Sequence, residues 1–225
     1  MATMQVVAVI EEKGGVGKTT LCLTLAVAAV QAGRKVAVFD LDPQATAAKW
    51  TDRRESEFPW VITTPASRLD ASIASAKEQG VDFVVIDTPP NSGTAGVEAA
   101  RRANLVVVPV EPHVFTIETM PKLADILKLA GNPPTLIVLS KAEVQGTEAR
   151  DAAEVLKQQG LDICPIVFHR RAAHRHAGNI GQVAQEYDPK SKAAEESQQL
   201  YMYTLQLLTK RDTHHAKAKP THARA

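Results

Sequence analysis

Residues 6–20 read Val6-Val7-Ala8-Val9-Ile10-Glu11-Glu12-Lys13-Gly14-Gly15-Val16-Gly17-Lys18-Thr19-Thr20. An unbroken apolar run leads into a glycine-rich loop, and Thr19–Ala32 follows at helical spacing with Gly33 as a stop. The glycines let main-chain N–H groups turn inward around phosphate oxygens with no Cβ in the way. The helix start adds unpaired N–H groups and a positive dipole end. In such a loop Lys18 reaches the β- and γ-phosphates, the Thr19 hydroxyl ligates Mg²⁺ and Thr20 bonds the α-phosphate. One position departs from the common G-x-x-x-x-G-K-[ST] pattern: Glu12 stands where the first glycine belongs, and Lys13 follows it.

Outward from this loop, strand and helix alternate. Short β-type runs at Lys35–Phe39, Trp60–Thr63, Val81–Ile86, Leu105–Val110, Thr135–Leu139 and Asp162–Phe168 separate helical stretches at 44–54, 67–79, 94–102, 117–129 and 147–159. A last helix is expected over Ala193–Leu208. Runs such as Phe83-Val84-Val85-Ile86 are apolar on both faces, as a parallel sheet covered by helices requires. The expected fold class is therefore α/β: an open, doubly wound, mostly parallel sheet flanked by helices. Ligands of such sheets bind at the carboxyl ends of the strands.

The chain has 225 residues, 44% hydrophobic and 23% charged, which fits one soluble globular domain or at most two small ones. Two cysteines, Cys22 and Cys164, lie in separate apolar runs, too few for a disulfide framework or a cysteine-rich zinc site, and they suit a reducing cytosol. No apolar run approaches the ~18 residues of a spanning helix. Met1–Gln5 has no basic leader region. The net charge of +1 names no partner, but its distribution is uneven. Residues 209–225 carry Lys210, Arg211, Lys217, Lys219 and Arg224 against Asp212, a tail of +4 on a body of −3. With only alanine as an apolar residue, this tail is expected to be disordered, so the domain is placed at 1–208.

Carboxylates mark two further strand ends. Asp87 closes Phe83–Ile86, precedes Thr88-Pro89-Pro90 and is placed to hold Mg²⁺ through water. Asp40 and Asp42 stand in Phe39-Asp40-Leu41-Asp42-Pro43-Gln44, where a carboxylate can orient an attacking water or support the metal's water shell. An aspartate at a strand end also serves as a helix cap or turn residue. Three of them beside a phosphate loop favour the metal-nucleotide reading.

These segments resemble the ParA/MinD superfamily. Lys13-Gly14-Gly15-Val16-Gly17-Lys18-Thr19-Thr20 resembles its deviant Walker A motif, Asp40–Gln44 its Walker A′ segment, Asp87–Pro90 its Walker B and switch region, and Pro109-Val110-Glu111-Pro112 its proline-rich strand end. The likeness runs in order from Gln5 to Leu208 and is greatest to the short ParA type without an N-terminal helix-turn-helix domain. It implies a P-loop ATPase that binds ATP·Mg²⁺ and pairs face to face. Lys13 then reaches the partner's phosphates in trans, Asp42 positions the hydrolytic water, and Asp40 and Asp87 support Mg²⁺ beside Thr19. Ser140 and Lys141 fall where relatives contact the base, with Ser140 in place of the family's asparagine.

The same resemblance implies ATP-dependent DNA partition of a plasmid or chromosome. In that role the ATP homodimer binds DNA non-specifically and is reset by a separate ParB/ParG-like centromere-binding adaptor, in the cytoplasm at the nucleoid. The expected DNA contacts are Arg170, Arg171 and Arg175 in His169-Arg170-Arg171-Ala172-Ala173-His174-Arg175-His176, extended by Lys190, Lys192 and the tail. A solvated loop and helix start is the plain alternative. Other readings keep the ATPase and change what it acts on. One is the positioning of a protein cluster or organelle, and another a MinD-like membrane-associated division-site regulator. The membrane reading needs large apolar residues along a C-terminal helix, and His214–Ala225 has none, so no membrane is expected. A metabolic P-loop enzyme lacks a marked substrate pocket. An iron–sulfur relative needs paired cysteines where Cys22 and Cys164 read as core. A scaffold that binds without hydrolysing is opposed by Asp42 and Lys13.

Overall fold

A computed structural model describes residues 4–112 and 120–217. Seven parallel strands form one sheet in the order β3-β2-β4-β1-β5-β6-β7. They are β1 (Gln5–Val9), β2 (Val36–Asp40), β3 (Trp60–Thr63), β4 (Phe83–Asp87), β5 (Leu105–Val110), β6 (Thr135–Ala142) and β7 (Phe168–His169). The helices are α1 (Lys18–Gln31), α2 (Thr46–Thr51), α3 (Leu69–Glu78), α4 (Gly93–Arg102), α5 (Met120–Leu129), α6 (Glu148–Gln158), α7 (Ala172–Asn179), α8 (Ala184–Tyr187) and α9 (Lys192–Lys217). The doubly wound architecture expected from the alternation is the one observed.

Strand alternation divides the interior in two. Val7 and Val9 of β1 face a core with α1 and α9, built from Leu21, Leu25, Leu200 and Tyr201. Val6, Ala8 and Ile10 face the opposite core, with Leu69, Ala99, Leu123 and Leu156 from α3, α4, α5 and α6. Because α1 lies between the sheet and other helices, ten of its fourteen residues are buried. It ends where Gly33, at φ 80°, donates its N–H to the Val30 carbonyl. Strand β1 is flanked by β4 and β5, so its end and theirs meet at one rim. Register sets Val9 opposite Asp87, and Asp40 opposite Asp87.

Two expectations change. A strand over Asp162–Phe168 reduces to the Ile137–Ile163 bridge and the two residues of β7. Pro165 has no N–H to give, which interrupts the ladder between them. The last helix runs on to Lys217, so the boundary expected at 208/209 falls inside α9. No glycine or proline interrupts residues 209–217, and the first proline beyond is Pro220. Residues 218–225 of the expected tail and 117–119 of the expected fifth helix lie outside the described residues. Among the described residues no helix is long and apolar enough to cross a membrane.

The loop after α2 is tied to the C-terminal third by Arg54, whose side chain is 3% exposed. Its two terminal nitrogens grip Glu186 at 2.9 and 2.7 Å, its Nε donates to the Phe58 carbonyl, and its guanidinium stacks 4.6 Å over Trp50. Arg54→Ala leaves Glu186 without its counter-charge, and the expected loss is about 3–5 kcal/mol of unfolding free energy. A urea titration checks this; Arg54→Lys should recover little, because an ammonium cannot make the paired fork.

Candidate functional site

The phosphate loop spans residues 11–17 between β1 and α1. Gly15 and Gly17 hold φ angles of 80° and 99°, left-handed values that a side chain resists. Gly17 is the N-terminal cap of α1, and its carbonyl accepts from the Leu21 N–H at 2.9 Å. The first-turn N–H groups of α1, at Lys18, Thr19 and Thr20, are thereby presented at the loop. Lys18 is buried, and its Nζ donates to the Glu11 carbonyl at 2.9 Å and the Lys13 carbonyl at 3.1 Å. Burial lowers its pKa, against the raising effect of Asp87 and Glu11.

The carboxylates at the rim are not equivalent. Asp87 Oδ1 accepts a long contact from the Cys22 thiol at 3.5 Å, while Oδ2 is buried with no hydrogen-bond partner among the described residues. Burial pushes its pKa up to about 7, with Asp40 adding to the rise and Thr19, Cys22 and Lys18 opposing it. Asp40 has both oxygens committed: Oδ1 accepts from the Asp42 N–H, and Oδ2 from the Ala47 and Ala48 N–H groups. Burial raises its pKa as well, and those main-chain bonds hold it down. Asp42 stands half-exposed above, accepting from the Gln44 N–H at 2.9 Å. The open oxygen of Asp87 fits a cation beside Thr19, and the two Asp40 carboxylate oxygens brace the 41–48 loop.

Two glutamates that the sequence reading left without a role join the loop to its neighbours. Glu12 Oε1 accepts from both the N–H and the hydroxyl of Ser92, at 2.9 and 2.8 Å, and the Glu12 carbonyl accepts from the Asn91 N–H. The residue in the first-glycine position thus fastens the phosphate loop to the segment after Asp87. Glu111, just past β5, lies 3.6 Å from Lys13 Nζ and 3.9 Å from Lys141 Nζ.

Beside Gly17 and Thr20 opens a cavity of about 240 Å³, walled by Ser140, Lys141, Phe168 and His174. Ser140 is fully buried, and its hydroxyl donates to the Val16 carbonyl at 2.8 Å, so it braces the loop from below. Lys141 Nζ donates to the Gly15 carbonyl. The His174 ring lies 4.3 Å from that of Phe168, and burial pushes its pKa down to about 4.

Residues 7–187 match the CobQ/CobB/MinD/ParA nucleotide binding domain. The chain belongs to this family. It is 29% identical over 180 residues to the maintenance of carboxysome distribution protein A of Gloeobacter kilaueensis, covering 79% of this chain and 82% of that one. It is 24% identical over 261 residues to the chromosome partitioning protein ParA of Myxococcus xanthus, covering 93% and 89%. In fold it is similar to the septum site-determining protein MinD of Pyrococcus horikoshii OT3, solved with Mg-ADP, at a TM-score of 0.66, 20% identity, and 90% and 96% coverage.

In this family member the three arginines expected to meet DNA all line the cavity beside Gly17 and Thr20. Arg171 is bound to Glu196 through Nε at 3.0 Å and a terminal nitrogen at 2.6 Å. Arg170 is 59% exposed and 3.6 Å from Glu143, and Arg175 is exposed. The sequence offers a helix start here only as the plain alternative; α7 forms, and His174 on it packs against Phe168. The segment's charge is conspicuous there, whereas its helical period spans only two turns.

Proposed function

We propose that the chain is an Mg²⁺-dependent ATPase whose ATP form is a face-to-face homodimer. The observation that carries this reading is two lysines at one cradle. Lys18 already fills the loop, bonded to its carbonyls, while Lys13 Nζ stands outside it against Glu111. A second lysine on the rim is suited to a second nucleotide, where it would offset charge developing on the transferred phosphoryl group. When bound, Mg²⁺ neutralises phosphate charge, with Thr19 and Asp87 as its holders and Asp40 supporting its water shell. Asp42 orients the water, and Lys18 and the α1 N-terminus fix the phosphates. Ser140, through the loop, and Lys141, at the cavity wall, shape the nucleoside side.

The biological role of this switch is read as DNA partition, with non-specific DNA and a separate ParB/ParG-like adaptor as partners and the nucleoid as location. Similarity to a chromosome partitioning protein supports it, and so does the exposed charge of Arg170 and Arg175. A second reading, distribution of a protein assembly, is favoured by the 29% identity to the carboxysome distribution protein. One experiment addresses the switch and its role together. DNA retention and molar mass are measured with ATP·Mg²⁺, ADP and no nucleotide for the wild type, Lys13→Ala and Arg175→Ala. The expected result is ATP-dependent dimers that retain DNA, Lys13→Ala protein that binds nucleotide yet stays monomeric, and Arg175→Ala dimers with weakened retention. Dimers that retain no DNA favour the second reading. A wild type that stays monomeric with ATP·Mg²⁺ overturns the switch.

A further inference from the structure

We propose that Glu111 is a positioning residue for Lys13: its carboxylate holds that lysine to its own protomer until a polyphosphate takes over the countercharge, which frees the lysine for the second subunit. The proposal rests on the reading of Lys13 as the trans lysine and goes beyond it by naming what governs its release.

The geometry is specific. Glu111 follows β5, the neighbour of β1, so its side chain reaches the same rim as the phosphate loop that leaves β1. One carboxylate oxygen lies 3.6 Å from Lys13 Nζ and the other 3.9 Å from Lys141 Nζ. The lysines are each 38% exposed and the carboxylate only 13%. Lys141 Nζ is also anchored on the Gly15 carbonyl, within the phosphate loop itself. The carboxylate thus sits at the focus of two cations flanking the cradle, a charge arrangement that an incoming polyphosphate would reproduce. Glu111 and the ligand compete for the same cations and repel each other, so arrival of phosphate charge weakens the grip on Lys13.

The pair is half open to solvent, which makes it a bias and not a lock. An ion pair of this exposure shifts an equilibrium by a small factor, about threefold. A two-fold symmetric dimer opens two such latches, one in each subunit, so the factors multiply to about tenfold in the association equilibrium. A merely structural ion pair has no reason to act on association through Lys13.

The test measures ATP·Mg²⁺-driven dimerisation by light scattering across protein concentration, with ADP as reference state. Glu111→Gln should dimerise at about tenfold lower protein concentration than wild type. Glu111→Asp, whose carboxylate is drawn back by one methylene, should move the same way by less, and it stands in should the glutamine variant fold poorly. In the Lys13→Ala background neither change should have any effect. Wild-type dimers with no gain in the Glu111 variants overturn the latch and leave the switch standing, as does a gain that persists without Lys13. A wild type that never dimerises overturns the reading of Lys13 and the latch with it.

Discussion

Asp87→Asn should stabilise the nucleotide-free protein at pH 8 while removing Mg²⁺-supported hydrolysis. Asp87 is fully buried, its Oδ2 has no hydrogen-bond partner among the described residues, and burial pushes its pKa up to about 7. The unfolded chain releases this proton near pH 4. Between about pH 4 and pH 7 the folded state therefore binds more protons than the unfolded one, and stability falls as the pH rises. Above pH 7 the desolvated charge imposes its whole cost, at about 1.4 kcal/mol per unit of pKa separation. Asparagine keeps the shape without the charge. A gain of about 1–3 kcal/mol in urea unfolding is expected at pH 8, shrinking toward zero at pH 4. Phosphate release should fall by about a hundredfold or more, since the amide is a poor holder of a hard cation. Equal stability at pH 8 would mean that the carboxylate is solvated. Undiminished turnover would place the metal elsewhere.

How far this site could be read in the sequence depended on how local its causes are. The loop from Lys13 to Thr20 was legible because left-handed backbone at Gly15 and Gly17 and a helix beginning at Lys18 follow from neighbouring residues. The strand ends at Asp40 and Asp87 were legible because both-faces-apolar runs stop there, and register then sets the two residues opposite each other. Which of the two keeps an oxygen open was not legible. Asp40 is closed by N–H groups of residues 42, 47 and 48, a consequence of how the next loop folds back.

Charge was visible where position was not. Arg170, Arg171 and Arg175 stand out as a basic cluster, yet the turn of the chain into α7 sets all three beside Gly17 and Thr20. The partner of Arg171, Glu196, lies on α9. Glu12 and Glu111 stand within the quoted motifs, yet nothing local tells what either carboxylate contacts. Their roles come from contacts to Ser92, Lys13 and Lys141, each far away along the chain. Pro165 was the one local signal that should have shortened the expected strand at 162–168.

Gly17→Ala separates backbone geometry from charge at this cradle, since it alters no ionisable group. At φ 99° an alanine is strained by about 1–2 kcal/mol before any contact is counted. Its Cβ would also lie 3.3 Å from Ser140 Oγ, the hydroxyl that donates to the Val16 carbonyl. Ser140 is wholly buried and cannot swing away, so the strain is relieved by the loop itself. The loop's N–H groups then leave the directions that suit a phosphate, and Lys18 loses its register with them. Nucleotide affinity should fall by about a hundredfold, measured by fluorescent ADP titration, with a smaller loss of about 1–2 kcal/mol in urea unfolding. Ser140→Ala in the same background removes the contact and leaves φ unchanged, so it should restore only a minor part of the affinity. Full restoration would show that crowding by Ser140, and not the left-handed backbone, is what demands glycine at this position.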